Sequence, residues 1–400
     1  MFIKLFSRLY QFGLKLFVLV FPFPKPKLYQ GSEGLQDWAK TIKDKGETKL
    51  LLVTDETLVN LGVINPVIAA LENEQISYSL FSQVQPNPTI ANVEHGLQQY
   101  LDNQCQAIVA IGGGSVMDCA KLIGARAVKP KKSVKQLKGL FKILKKLPPF
   151  YAIPTTAGTG SETTIVAVIS DPEVQQKYAV TDLVLAPKAA ILVPELTTGL
   201  PGHITATTGM DALTHAIESY IGNNATPFTK KRSLVACKLI FVNLPKAYAN
   251  GSDTQARLAM LQGSFYAGEA FTRASVGYVH AIAHQLGAIY NTPHGLANSV
   301  ILPKVLRWYG KSVVRKLAEI SDHCALASPS KTATEKAQGV IELIESMNQE
   351  MAIPNQLSEV QNQDIDQIVD AALKEAQLDY PVPKFMEKAD CRGVVEKLVA

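Results

Sequence analysis

The sequence predicts an α/β domain built on a parallel sheet, followed by an all-α domain. Three observations carry this. Short apolar runs alternate with helical periodicity as far as residue 193, the pattern of parallel strands with helices packed on the sheet. One of those runs leads straight into a triple glycine, Gly112-Gly113-Gly114. Beyond residue 202 helical spacing continues with little strand pattern, and four of the chain's seven histidines lie within residues 211–294.

A chain of 400 residues is long enough for two domains with a core each. Its 47% apolar and 19% charged residues are ordinary for a globular protein. A net charge of +5 is too small to argue for nucleic acid. The five cysteines are scattered, with no CxxC pair, which points to free thiols in a reducing, cytoplasmic setting. No apolar run reaches the roughly 18 residues that span a bilayer.

In chain order, residues 1–27 read as an amphipathic helix and a proline linker, 28–198 as the α/β domain and 199–400 as the helical domain. The linker is Pro22 to Lys27, whose three prolines exclude helix. Lys49 to Thr54 reads as a buried parallel strand, with Asp55 directly after it. Helix is expected over 57–74, strand over Ser77–Phe81, a turn at Pro86-Asn87-Pro88-Thr89 and helix again to Asn103. Gln106 to Ile111 is the next strand, and it runs into Gly112-Gly113-Gly114-Ser115. Ser115 and Asp118 have the spacing of a capping box for the helix that follows. Strand, glycine loop and helix N-terminus make an anion site of Rossmann-like type. The G-x-G-x-x-G fingerprint is absent, and a plain glycine turn is the competing reading.

Eight lysines between Lys129 and Lys146 read as a solvated face, or as a contact to an anionic surface. Residues 152–153 lead into Pro154-Thr155-Thr156-Ala157-Gly158-Thr159-Gly160-Ser161-Glu162. This loop is dense in hydroxyls and suits phosphate or ribose, or simply a turn before a helix. Strands are expected at Thr164–Ile169 and Ala190–Val193, and a breaker-rich boundary at 194–202. Helices are expected at about 208–221, 229–249, 253–271, 274–287, 310–325, 333–348, 362–374 and 386–399.

Asp211 and His215 are four apart, as are His280 and His284, so each pair shares a helix face. Their neighbours are Ala, Leu, Ile and Val. Buried His and Asp must be paired or ligated. One carboxylate with imidazoles from this set and His294 suits Fe(II) or Zn(II). Satisfied core histidines are the alternative. Spacing does not separate His280 from His284.

Taken together, these motifs resemble the iron-containing (group III) alcohol dehydrogenase family, which shares its fold with dehydroquinate synthase and glycerol dehydrogenase. The match runs over roughly residues 30–380. It rests on Val53-Thr54-Asp55, on Pro86-Asn87-Pro88-Thr89, and on Gly112 to Ser115 with Asp118 and Lys121 (GGGSxxDxAK). The PTTAGTGSE loop at 154–162 and Lys177-Tyr178 complete it. The resemblance implies Asp211, His215, His280 and His294 as metal ligands, with His284 a pocket histidine near the nicotinamide. It implies cofactor contacts from Asp55, Pro86, Asn87, Gly112, Gly113, Gly114, Ser115, Asp118, Thr155, Thr156, Thr159, Ser161 and Lys177. NAD is expected over NADP because Asp55 would repel a 2′-phosphate. The expected reaction is hydride transfer between an alcohol, or its aldehyde, and NAD. The metal, Fe(II) or alternatively Zn(II), acts as Lewis acid on the metal-bound alkoxide, and His284 relays the proton. A homo-oligomer, a dimer in the family, is also implied. Phe271 and Tyr278 are candidate pocket walls or plain core. Residues 381–391 depart from the family's Asn-Pro-Arg segment, so no particular substrate is carried over. The rival readings are a hydroxyacid–oxoacid transhydrogenase, a zinc polyol dehydrogenase and, from another class, a membrane-docked non-catalytic binding protein.

Residues 1–21 hold Lys4, Ser7, Arg8, Gln11 and Lys15 within about one quadrant of a helical wheel; nearly everything else is large and apolar. One expectation is a helix lying in a membrane interface with Lys and Arg at the headgroups. That would make the enzyme peripheral to the membrane, meeting hydrophobic alcohols there. The other is a helix packing its apolar face on a partner subunit or on its own body.

Overall fold

The computed structural model describes residues 2–171 and 176–400; Met1, part of the N-terminal segment discussed above, lies outside them. The chain forms two compact units, Phe23–Gly199 and the N-terminal helix with Leu200–Ala400.

The N-terminal helix α1 spans Phe2–Val20. Strands β1 (Lys27–Gln30), β2 (Lys49–Val53), β3 (Ser77–Phe81), β4 (Ala107–Gly112), β5 (Gly139–Leu140), β6 (Phe150–Pro154), β7 (Val166–Asp171), β8 (Gln176–Thr181) and β9 (Ala189–Leu192) follow. Helices α2 (Gly31–Asp44), α3 (Glu56–Asn60), α4 (Asn65–Asn73), α5 (Ile90–Asp102), α6 (Gly114–Val128) and α7 (Val134–Leu137) alternate with them. Six strands form a parallel sheet in the order β1-β9-β6-β4-β2-β3, and β5, β8 and β7 form a small second sheet. In β2, β4, β6 and β9 the apolar runs are buried almost throughout, as strands covered on both faces must be.

Several expectations are corrected. The single helix over 57–74 is two, α3 and α4, broken at Gly62 (φ +68°), with Pro66 in the first turn of α4. Strand β1 begins inside the supposed proline linker and pairs with β9. Ser115 and Asp118 do not form a capping box. The N-cap of α6 is Gly113, with no side-chain cap, and Asp118 turns elsewhere. Its carboxylate accepts from Ser161 Oγ at 2.8 Å and from the Val168 N–H at 2.9 Å.

Beside Asp118, Lys121 is wholly buried and donates to Ser161 Oγ, Thr164 Oγ1 and the Val166 carbonyl at 2.7–2.8 Å. Burial lowers its pKa to about 8, against the opposing pull of Asp118 and Glu162. This cluster ties the loop after β6 to α6.

The second unit carries α8 (Gly202–Ile221), α9 (Pro227–Ala249), α10 (Thr254–Ala274), α11 (Tyr278–Ile289), α12 (His294–Tyr309), α13 (Val314–Cys324), α14 (Ala333–Glu350), α15 (Ile365–Asp379) and α16 (Lys388–Val395). Helix α8 packs on α9, α10 and α12, and α11 packs on α12 and α15. Helix α12 lies outside the helices expected from spacing. It contains Pro303 and starts without a side-chain cap. At its first turn a Cβ on Gly295 would lie 2.5 Å from the Thr207 carbonyl oxygen, so only glycine lets α12 approach α8 this closely.

Helix α1 packs on α15 and α10 in an orientation neither expectation described. Its polar stripe faces the protein: Ser7 and Gln11 are buried, Lys4 pairs with Glu387, and Arg8 lies over the Phe385 ring at 4.1 Å. The apolar face is turned outward.

Replacing Lys121 with Met should cost roughly 3 kcal/mol of stability, because it leaves the half-buried Asp118 without its cation and takes a donor from Ser161, Thr164 and the Val166 carbonyl. An unchanged urea midpoint would contradict the role given to this cluster.

Candidate functional site

The α/β unit brings three of the predicted loops to one edge. Val53 pairs with Ala110 and Gly112 with Pro154, so the residues after β2, β4 and β6 leave adjacent strands at their carboxyl ends. There the strand order also switches sides, the position where open parallel sheets take ligands. Asp55, the Gly112–Ser115 loop and the Thr155–Ser161 loop therefore sit side by side.

The glycines are fixed by packing. A Cβ on Gly112 would lie 2.6 Å from Val116 Cγ2, and one on Gly114 would lie 3.0 Å from Thr159 Cγ2. With Gly113 as N-cap, no cap side chain covers the first turn of α6, leaving its N–H groups to an anion. The failed capping box thus favours the anion reading over a closed helix end. Asp55 accepts from the Leu58 N–H at 3.0 Å, which caps α3. Asn87, at φ +56°, accepts from Lys177 Nζ at 2.8 Å. Thr155 is buried and Thr156 half-buried. Thr159 Oγ1 accepts from the Ser161 N–H at 3.3 Å. Asp118 and Ser161 hydrogen-bond within the Lys121 cluster.

The helical unit brings together a second group. One ligand atom from each of Asp211, His215, His280 and His294 lies within 4.8 Å of the others. Asp211 and His215 come from α8, His280 from the first turn of α11 and His294 from the first residue of α12. The first three are buried and His294 is exposed, so the cluster reaches solvent at His294. His215 stacks between Phe271 (4.1 Å) and His280 (4.5 Å). Phe271 is thus a wall of the cluster, whereas Tyr278 is core: it is 2% exposed and its hydroxyl accepts from the Met386 N–H.

Glu218 organises this arrangement. It is buried one turn beyond His215 and accepts from the Gly277 N–H at 2.8 Å, the Val279 N–H at 2.9 Å and His280 Nδ1 at 2.7 Å. It therefore caps α11 and fixes the His280 tautomer together. A Cβ on Gly277 would lie 2.6 Å from Glu218 Oε1. With Nδ1–H spent on Glu218, His280 Nε2 keeps its lone pair. That atom is buried without a hydrogen bond, 3.8 Å from Asp211 Oδ1. A buried acceptor facing a carboxylate fits a cation between them. Burial pushes His280 well below the usual histidine range and Asp211 above the usual carboxylate range. Asn298 donates to Asp211 Oδ1 at 2.7 Å and lies 3.1 Å from His294 Nε2.

The structure separates the two histidines that spacing left equivalent. The His284 side chain is 42% exposed against 3% for His280. Its ring stacks on His294 at 5.4 Å, and its Nδ1 meets Glu375 Oε1 at 2.6 Å. Tyr380 Oη and Gln285 Nε2 also donate to Glu375. Glu218, Asn298 and Glu375 escaped the sequence reading. Glu218 had a visible signal, since it continues the Asp211–His215 face at i+7 and i+3. Asn298 stands four residues after His294, but Pro303 and the missing cap hide the helix that puts them on one face.

Comparison with known proteins agrees with both halves. Residues 24–194 match the family described as iron-containing alcohol dehydrogenase, and 205–399 match the Fe-containing alcohol dehydrogenase family, C-terminal. Alcohol dehydrogenase 4 of Schizosaccharomyces pombe is 38% identical over 363 residues, 90% of this chain and 84% of that protein. The crystal structure of a 1,3-propanediol oxidoreductase superposes with a TM-score of 0.90 at 34% identity, covering 95% of this chain and 100% of the other. A sulfoacetaldehyde reductase from Bifidobacterium kashiwanohense, solved with NAD+, gives 0.85 at 25% identity, covering 95% and 99%. The chain therefore belongs to the iron-containing alcohol dehydrogenase family, and it is a metal-dependent oxidoreductase that links an alcohol or its aldehyde to NAD(H).

Proposed function

We propose that Asp211, His215, His280 and His294 hold the metal and that His284 is the proton-handling residue. The observation that carries this is the convergence of one carboxylate and three imidazoles, three of the four residues buried, with exposed His294 and half-exposed His284 on the side that solvent reaches. Three nitrogens and one oxygen suit Fe(II) and accommodate Zn(II). When bound, the metal supplies Lewis-acid polarisation of the substrate oxygen and NAD supplies the hydride acceptor.

The chain's own residues do the rest. Glu218 aims His280 by taking its Nδ1 proton, and Asn298 orients Asp211. Phe271 blocks one side of the cluster. His284, its Nδ1 held by Glu375, takes up the hydroxyl proton on Nε2 and returns it to solvent through its exposed edge. The backbone N–H groups of Gly113 to Ser115 take the pyrophosphate, with Thr155, Thr156 and Thr159 lining the same edge. Asn87 accepts from Lys177, and in this reading Lys177 contacts the ribose, with Pro86 and Asn87 at the cofactor's edge. Asp55 accepts from the adenosine ribose hydroxyls and repels a 2′-phosphate. The enzyme works in the cytoplasm as a homo-oligomer, with a membrane surface within reach of α1.

His280→Ala should abolish metal retention and alcohol oxidation while NAD still binds, checked by metal analysis and coenzyme titration. Full metal occupancy would remove His280 from the ligand set. Glu218→Gln should weaken metal binding by about 10–100-fold in competition with a chelator; an unchanged affinity would mean that Glu218 does not aim the ring. Asp55→Asn keeps a cap for α3 but removes the charge. It should raise the NADP-to-NAD ratio of kcat/KM by roughly 10-fold or more, and a static ratio would place Asp55 away from the ribose.

A further inference from the structure

Helix α15 ends at Asp379, and the chain leaves it extended at Tyr380 (φ −111°, ψ 117°). Such an end leaves the carbonyls of the last turn without donors from the helix itself. Here the donors come from other elements. Gln11 of α1, only 2% exposed, gives Nε2 to the Leu378 carbonyl at 3.2 Å and to the Tyr380 carbonyl at 2.9 Å. Ser275 Oγ donates to the Asp379 carbonyl at 3.2 Å. Gln377 Nε2 reaches back to Ser7 Oγ of α1 at 3.2 Å. Gln11 is itself held, since its Oε1 accepts from Arg8 Nη1 at 3.1 Å and its carbonyl accepts from Asn224 Nδ2 at 2.9 Å. The amide of Gln11 therefore does for α15 what a capping side chain of its own would do.

The turn that Gln11 holds also carries a side chain of the site. Tyr380 turns back along α15, and its Oη donates to Glu375 Oε1 at 2.5 Å. The same oxygen faces His284 Nδ1 at 2.6 Å, while Oε2 accepts from Gln285 Nε2 at 2.9 Å. Burial, with Glu375 beside it, holds the Tyr380 hydroxyl well above its usual range, so it stays a donor. The Glu375 carboxylate is thus fixed from several directions, and it in turn fixes a half-exposed imidazole. A histidine that moves a proton must aim one nitrogen within hydrogen-bond reach of its target, and small misplacements are costly. We propose that Gln11 and Tyr380 are positioning residues for the reaction. Helix α1 holds the end of α15, Tyr380 holds Glu375, and Glu375 holds His284 in one orientation and one tautomer. This rests on the reading above that His284 handles the proton, and it gives the N-terminal helix a part in that step.

The test uses the full-length, metal-loaded protein and two readouts: amide hydrogen exchange over residues 376–387, followed by mass spectrometry, and kcat for NADH formation from an alcohol. Gln11→Leu keeps the bulk of the side chain and removes its donors. It should speed exchange over 376–387 and lower kcat by roughly 10-fold, with metal content per chain and the KM for NAD unchanged. Tyr380→Phe should lower kcat to a similar extent. In a His284→Ala background neither substitution should lower kcat further, because both act through that one imidazole. Unchanged exchange or unchanged kcat in Gln11→Leu overturns the proposal. So does an equal further fall in the His284→Ala background, which would mark general damage to the fold. Should Gln11→Leu fail to fold, Tyr380→Phe decides by the same comparison. Wild-type kcat in His284→Ala itself would remove His284 from the proton path, and the proposal with it; an impaired His284→Ala with an unimpaired Gln11→Leu overturns the proposal alone.

Discussion

Burying Asp211 among three imidazoles is the constraint on which the helical unit depends. Desolvation drives Asp211 and His280 towards their neutral forms, raising the pKa of the carboxyl and lowering that of the imidazole. A divalent cation makes the same burial favourable, because it needs an ionised carboxylate and neutral imidazoles. The remaining requirement is orientation. Glu218 meets it by bridging α8 to the N-terminus of α11, where two backbone N–H groups and one imidazole share its carboxylate. Gly277 and Gly295 are the small residues that let α11 and α12 close on α8.

The α/β unit solves a different problem with the same economy of charge. It must present backbone donors at one edge without closing them internally. Adjacent parallel strands deliver the loops, packing around Gly112 and Gly114 holds them, and the uncapped start of α6 leaves donors available. Buried Lys121, with half-buried Asp118, Ser161 and Thr164, keeps the hydroxyl-rich loop in place. Its cost in desolvation is offset because nearly every polar atom in it finds a partner.

Much of this was legible in the sequence because it follows from short-range rules. The continuous apolar runs at 49–54 and 106–111 read as buried strands, and the glycines after the second run allowed a close junction, which the structure makes between β4, ending at Gly112, and α6, starting at Gly114. What escaped depends on the rest of the fold. Strand β1, Lys27–Gln30, has no apolar run and exists because β9 offers an edge. Helix α12 was hidden by Pro303 and by a start that depends on α8. Ser115 and Asp118 had capping spacing, but α6 begins at Gly114, and a carboxylate with Ser161 and Val168 available pairs with them instead. His280 and His284 share a helix face and differ only in depth, which no local pattern encodes. In α1 the amphipathic pattern gave two faces and no sign of which was inward. Hydrogen bonds to the ends of α15 and α8 decided that, against the usual preference for burying the apolar side.

The central claim is that these four residues make the chain a metalloenzyme. It is tested most directly by metal content per chain in anaerobically purified wild-type protein, measured alongside NADH formation from an alcohol before and after chelation. The account predicts one divalent ion per chain, loss of NADH formation in step with its removal, and recovery on adding back Fe(II). Full alcohol-dependent NADH formation by protein freed of metal would contradict it.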